Sequence, residues 1–254
     1  MKLSKVLFGS AVMAALMFGF ASCAAEDDDD EKEAITGSNN DYSISFTNED
    51  DGMYRAYHST FNKHLGGLCQ ITLDKDSTGD GTIGYIFDLE SNPSRAAKDP
   101  RTLCIVAFNL ATSGVAKPYV SHFTNVTDIQ ADNFGTKLSE NPAKETEYLK
   151  LGDSSIKLSD CEVDGKYVLT VDVNGKDNED YVVRIYKGKV EKASLATAKT
   201  AVDPITIPKE DLYPTTKKIG QKAAAVYVNV YARKTMKATW HYADTYAEAE
   251  VVEE

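Results

Sequence analysis

The chain is poor in the residues that would staple it together or carry it through a bilayer. Four cysteines stand in 254 residues, and three of them, Cys69, Cys104 and Cys161, lie beyond Cys23. An odd set cannot close into a complete intramolecular disulfide framework, so either one bridge and a free thiol or no bridge at all is expected. No C-x-x-C and no Cys/His spacing of the zinc-binding kind occurs. Basic residues are the minority, 28 Lys and Arg against 39 Asp and Glu, giving a formal charge of −11. That balance excludes a nucleic-acid partner and an anionic lipid surface, both of which need clustered cations. Nucleophile elbows, phosphate-cradling glycine loops and zinc helices are missing. The four histidines, His58, His64, His122 and His241, are scattered. The one long apolar run, Val6 to Phe20, falls short of the about 20 residues a spanning helix needs.

What stands at the N-terminus is an export signal. Lys2 and Lys5 precede the apolar run, which ends Phe20-Ala21-Ser22-Cys23. A basic region, a short apolar region and small residues in that order are the features of a cleaved signal segment. The tetrapeptide resembles the lipobox of bacterial lipoproteins, with Phe20 where Leu is usual, a departure similar to that of spirochaete lipoproteins. The resemblance implies that residues 1–22 are removed and that Cys23 is acylated. It further implies an envelope protein anchored by lipid to the outer or inner membrane. More than one acyl chain is needed for stable anchoring, and lipoprotein cysteines carry two or three. Glu26-Asp27-Asp28-Asp29-Asp30-Glu31-Lys32-Glu33 follows. A self-repelling acidic block of this kind stays extended, so residues 23–40 are read as a tether.

From residue 41 to 254 one β-sandwich domain is expected. Apolar content of 42%, with 14 Tyr and 9 Phe, is ample for a core. Period-two alternation marks strands over Asp41–Thr47, Leu68–Leu73, Thr82–Leu89, Pro118–Val126, Lys166–Val173 and Tyr181–Tyr186. Leu103–Leu110 is nearly continuous apolar sequence, as in a strand covered on both faces. The turn-rich stretch Asn174–Asp180 makes a hairpin of its flanking strands. Ala225–Ala232 and Lys237–Tyr242 read as a closing pair. Helix is limited to short candidates near Ser94–Lys98 and Lys189–Lys199. The all-β pattern predicts an antiparallel two-sheet sandwich.

Three consecutive strings sharpen the fold class: Gly84-Tyr85-Ile86-Phe87-Asp88-Leu89, Leu103-Cys104-Ile105-Val106-Ala107-Phe108 and Lys117-Pro118-Tyr119-Val120-Ser121. They resemble the central strands of concanavalin-A-like jelly rolls. The pair Tyr167–Gly175 and Tyr181–Tyr186 is similar to the later hairpin of those domains. The likeness covers roughly residues 65 to 245 and rests on residue classes. Glycosidases of that architecture carry Glu-x-Asp-x-x-Glu on one strand. The nearest string here is Glu162-Val163-Asp164-Gly165-Lys166-Tyr167, where Tyr167 replaces the third carboxylate and Asp164-Gly165 reads as a turn. No catalytic residue is assigned, and a non-enzyme is expected.

The one candidate metal site is Asp76-x-Thr78-x-Asp80-Gly81, whose oxygens echo the first half of an EF-hand calcium loop. Position twelve of such a loop falls on Phe87, and Asp88 comes one residue late. An ordinary Asp- and Gly-rich turn accounts for the same residues, and that plainer reading is favoured over Ca²⁺. Trp240, Tyr242, Tyr246, Tyr119 and Phe123 are either core aromatics or a sugar-stacking platform, with core packing favoured. The expected function is a non-catalytic binding module for a glycan or for a host or envelope protein. Its alternatives are a structural envelope lipoprotein without a small ligand, and a glycan-active hydrolase.

Overall fold

The computed structural model describes residues 36–38, 41–46, 54–62, 67–77, 81–88, 101–111, 114–126, 145–174, 180–208, 210, 224–232 and 235–243. Cys23, the acidic tether and the helix candidate near Ser94 lie outside these residues, as do Thr78 and Asp80. Fifteen strands are described. They are β1 (Thr36–Ser38), β2 (Asp41–Phe46), β3 (Tyr54–Asn62), β4 (Gly67–Leu73), β5 (Gly81–Asp88), β6 (Arg101–Ala111), β7 (Val115–Val126) and β8 (Glu145–Leu149). There follow β9 (Ile156–Lys157), β10 (Glu162–Val163), β11 (Lys166–Asn174), β12 (Tyr181–Lys187), β13 (Ile205–Ile207), β14 (Ala224–Ala232) and β15 (Met236–Ala243).

They form two antiparallel sheets. One has eight strands in the order β1-β2-β15-β4-β11-β12-β13, with β10 added to β11; the other has seven in the order β3-β14-β5-β6-β7-β8, with β9 added to β7. The chain passes repeatedly from one sheet to the other, so the protein is an all-β jelly-roll sandwich, as the alternation predicts. The two inner faces make the core. Cys69, Ile71 and Leu73 of β4, Leu169, Val171 and Val173 of β11 and Trp240 of β15 face Ile83 and Tyr85 of β5 and Cys104, Val106 and Phe108 of β6. Each fully buried aliphatic side chain contributes about 1.5–3 kcal/mol of transfer free energy. Tyr85 spans the sandwich: its hydroxyl reaches the carbonyls of Gln70 at 2.8 Å and His241 at 3.0 Å, which are register partners on β4 and β15.

The predicted strands are present with boundaries moved by a residue or a few. The β11–β12 hairpin forms as expected, Leu169 opposite Lys187 through Asn174 opposite Val182. Leu103, Ile105 and Ala107 are buried on the face of β6 opposite the core, which explains the unbroken apolar run. Asp164 and Gly165, at φ 50° and 80°, make the tight turn between β10 and β11. That turn confirms that the Glu162–Tyr167 string is no mid-strand carboxylate array.

Two expectations are corrected. The strands at 224–232 and 236–243 do not pair with each other. β14 lies between β3 and β5, and β15 between β2 and β4, in opposite sheets. A switch of sheet makes both strands central, bonded on two sides, where a hairpin would have used one side of each on the other. The helix candidate at Lys189–Lys199 is reduced to a 3-10 turn at Lys192–Ser194. Its backbone is instead bonded to the eight-stranded sheet, as shown below. β3 and β8 were not anticipated. Pro118 is tolerated inside β7 because β9 registers with Val115–Ala116 and β8 with Val120–Phe123, leaving the stretch between them unpaired on that side.

Candidate functional site

The outward faces of the two sheets differ. On the eight-stranded sheet, the segment Gly188–Thr200 is bonded across the outer face. Thr170 Oγ1 donates to the Gly188 carbonyl at 2.8 Å and accepts from the Val190 N–H at 3.2 Å. Gln70 Nε2 donates to the Val190 carbonyl at 3.2 Å, and Tyr186 bridges to Thr200. Beside this strap Asp172 is buried and takes a hydrogen bond from Arg184 Nη1 at 3.2 Å. The β11–β12 part of this face is covered by the protein's own chain, whereas Asp41, Ser43 and Ser45 of β2 and Thr239 and His241 of β15, on the same face, are exposed.

The outer face of the seven-stranded sheet is organised in rows that follow the register. Thr82, Asn109 and Lys117 form one row, and Gly84, Ala107 and Tyr119 the next. Ile86, Ile105, Ser121 and Glu147 form a third, and Leu103, Phe123 and Glu145 lie in a fourth. The apolar members of the last two rows are buried. Gly84 is required where it stands: a Cβ there would lie 2.4 Å from the Val106 carbonyl oxygen and 2.6 Å from the Ala107 Cα.

The polar members converge. The Tyr119 hydroxyl donates to the Glu145 carboxylate in a short contact, and Ser121 Oγ donates to the Tyr119 oxygen at 2.6 Å. Tyr119 and Ser121 are buried, whereas Glu145, Glu147, Asn109 and Lys117 are partly exposed. Burial pushes the Tyr119 phenol well above its usual range, and the neighbouring Glu145 charge adds to the effect. Burial likewise raises the Glu145 carboxyl, against the hydrogen bonds from Tyr119 and Ser121, and Glu147 raises it further. Tyr119 and Ser121 therefore position Glu145 from beneath, while Glu145 and Glu147 face outward side by side.

A bulge in the edge strand β8 produces this arrangement. Leu149 pairs with Val120 but Glu147 with Ser121, so Tyr148 is the extra residue. A bulge re-aims side chains at a sheet edge. Here Tyr148 and Leu149 both pack against the core side, and Glu145 and Glu147 stay on the other. The Tyr148 hydroxyl lies 2.7 Å from Nδ1 of the buried His122, with the rings stacked at a centroid distance of 5.4 Å. The edge strand is thus clasped to β7 on both faces.

The residues singled out from the sequence are placed as follows. Asp76 is exposed and accepts from Lys237 Nζ at 2.6 Å, a contact that holds its carboxyl below the usual range. Its companions Thr78 and Asp80 lie outside the described residues. Among the described residues no three His, Cys, Asp or Glu side chains surround a common point. Glu162 pairs with Lys75 at 2.5 Å. Cys69, Cys104 and Cys161 are all free thiols, and burial raises each of them. Trp240 is a core residue, as favoured. Tyr119 and Phe123 do share a face, but it is the outer one. Glu145 and Glu147 were missed because Glu145-Thr146-Glu147 is too polar and too short to stand out as a strand. The signal available was the carboxylate spacing of two, which puts both on one face of any strand.

No protein-family model matches the chain, and no curated protein matches it. Solved structures similar to it include a legume lectin-like domain from Entamoeba histolytica, 15% identical, with 84% of this chain and 88% of that one covered and a TM-score of 0.38. A kappa-carrageenase from Zobellia galactanivorans is 7% identical over 86% and 85% of the two chains, with a TM-score of 0.40. A non-specific endo-beta-1,3(4)-glucanase is 8% identical over 81% and 72%, with a TM-score of 0.38. The fold assignment stands on the strand order and register above. Among the described residues no helix is long and apolar enough to cross a membrane.

Proposed function

We propose that the protein is a lipid-anchored envelope lipoprotein whose sandwich presents a non-catalytic glycan-binding face. The observation that carries the reading is the pair of partly exposed carboxylates, Glu145 and Glu147, with Glu145 held by the buried Tyr119 and Ser121. Preset carboxylate acceptors suit the vicinal hydroxyls of a sugar, and fixing them in advance lowers the ordering cost of binding. The support for anchoring is the lipobox-like Phe20-Ala21-Ser22-Cys23 and the acidic tether behind it. Binding of the full chain to a glycan array and a matrix-protein panel tests the first part. Glycan binding that is lost in Glu145→Ala is expected; binding to proteins alone, or to nothing, overturns it. Cys23→Ala tests the second: the protein should leave the membrane fraction with its fold intact. Retention in salt-washed membranes would refute the anchor.

A hydrolase is the second reading, because alternate residues on one strand stand about 7 Å apart, within reach of two-carboxylate chemistry. Release of reducing ends from oligosaccharides, abolished in Glu147→Gln, would favour it over simple binding.

A further inference from the structure

We infer that the strap Gly188–Thr200 is a detachable cover that opens as one unit while both sheets stay folded. It lies on half of a polar row. Tyr186, Thr170, Gln70, His241 and Asp41 are register partners in turn across β12, β11, β4, β15 and β2, on the outer face of the eight-stranded sheet. Tyr186 and Thr170 are buried, Gln70 is half-buried, and His241 and Asp41 are exposed. The strap meets the covered half: Gly188 and Val190 bond to Thr170 and Gln70, and Thr200 bridges to Tyr186. Gly188, at φ 75°, turns the chain off the sheet and onto this face. Lifting the strap joins the covered half of the row to the open half, so that hydrogen-bonding groups line up across five strands.

Two independent features make the cover easy to lift. The first is how it is attached. Its bonds to the sheet lie at its ends, through Gly188 and Val190 at one and Thr200 at the other, beside which the Ala201 N–H donates to the Ile185 carbonyl at 2.7 Å. Between them no residue from Glu191 to Lys199 is buried; Leu195 and Ala198 are half-buried and the rest exposed. On lifting, the strap itself returns little apolar surface to water, and the polar groups it frees are hydrated. Opening therefore lacks much of the hydrophobic cost that holds a core strand in place.

The second feature is local preference. Glu191-Lys192-Ala193-Ser194-Leu195-Ala196-Thr197-Ala198-Lys199 is rich in strong helix formers. Docked, it makes only the 3-10 turn at Lys192–Ser194 and the turn bonds of Leu195, Thr197 and Ala198 to Lys192 and Ser194. A segment whose own preference disagrees with its tertiary shape gains less by docking.

Native-state hydrogen exchange of the full chain in low urea tests this, read at the Val190 and Ala201 amides near the two ends of the strap. Both should exchange at least about tenfold faster than the hydrogen-bonded amides of β4 and β11, with little dependence on urea, because opening exposes little surface. Thr170→Val cuts the strap loose near Val190 and should speed exchange at Ala201, the far end, by about tenfold. Gln70→Ala removes one bond of the same end and should speed Ala201 by about threefold, which keeps the test in hand if the first variant does not fold. An Ala201 rate unmoved by the folded variants means that the two ends fray separately, and overturns the inference. Val190 and Ala201 rates that match those of β4 and β11 and share their urea dependence mean that the strap leaves only with the whole fold, and overturn it as well.

Discussion

The outer faces of the two sheets are built from the same kind of strand and end differently. On the eight-stranded sheet, Thr170, Gln70 and Asp172 are directed at the protein's own strap and at Arg184, and their hydrogen-bonding capacity is used internally. On the seven-stranded sheet, Tyr119 and Ser121 are also satisfied internally, but the acid they hold is left partly open. Buried polar groups that answer to backbone stabilise; buried polar groups that position an ionisable group at the surface are the arrangement expected of a binding site. The comparison therefore gives one face an internal, structural use and supports the proposal of recognition at the other.

Substitutions on the two faces separate these roles. The largest effect is expected at Gly84, where an added Cβ meets backbone atoms of β6 at 2.4 and 2.6 Å. Gly84→Ala should cost about 3 kcal/mol in urea denaturation, the upper range for overpacking. Arg184→Ala comes next. It removes the Arg184 guanidinium from the buried Asp172 carboxylate, and with Arg184 itself about a third exposed a loss of about 2 kcal/mol is expected. Thr170→Val leaves the Val190 N–H and the Gly188 carbonyl without their side-chain partner and should cost about 2 kcal/mol. Both variants of the eight-stranded sheet should leave ligand affinity unchanged when measured below the unfolding transition. A large loss of affinity in either would dissolve the distinction between the faces.

The smallest effect is a pH dependence. The folded carboxyl of Glu145 is raised above its unfolded value. Its contribution is thus fully present below the unfolded pKa, about 4.3 for a free Glu, and is lost as pH rises through the folded pKa. Glu145→Gln removes that slope. Thermal melts should show the variant gaining on the parent as pH rises from 4 to 8. A parent that gains instead would mean that the hydrogen bonds from Tyr119 and Ser121 outweigh burial.

Much of the fold was legible without coordinates. Alternation at Tyr42 and Ile44, and the continuous run Leu103–Leu110, announce strands because a side chain's face is set by its parity and its hydrophobicity by where that face points. Asp164-Gly165 reads as a turn because few other pairs accept two positive φ angles cheaply. The candidate site was not legible in the same way. Glu145 and Glu147 sit on a short polar edge strand, and Tyr119 looks like any aromatic at strand spacing.

The sequence by itself determined the all-β class, most of the strand segments and the acidic charge, since each is a property of neighbouring residues. Only the tertiary structure decided which strands meet. It sent β14 and β15 to opposite sheets, turned a helical-looking segment into a strap over Thr170, and brought Glu145 to Tyr119 across an intervening stretch of chain. The physical reason is that strand pairing is non-local: the hydrogen bonds and buried area that select a partner appear only when distant segments are already side by side.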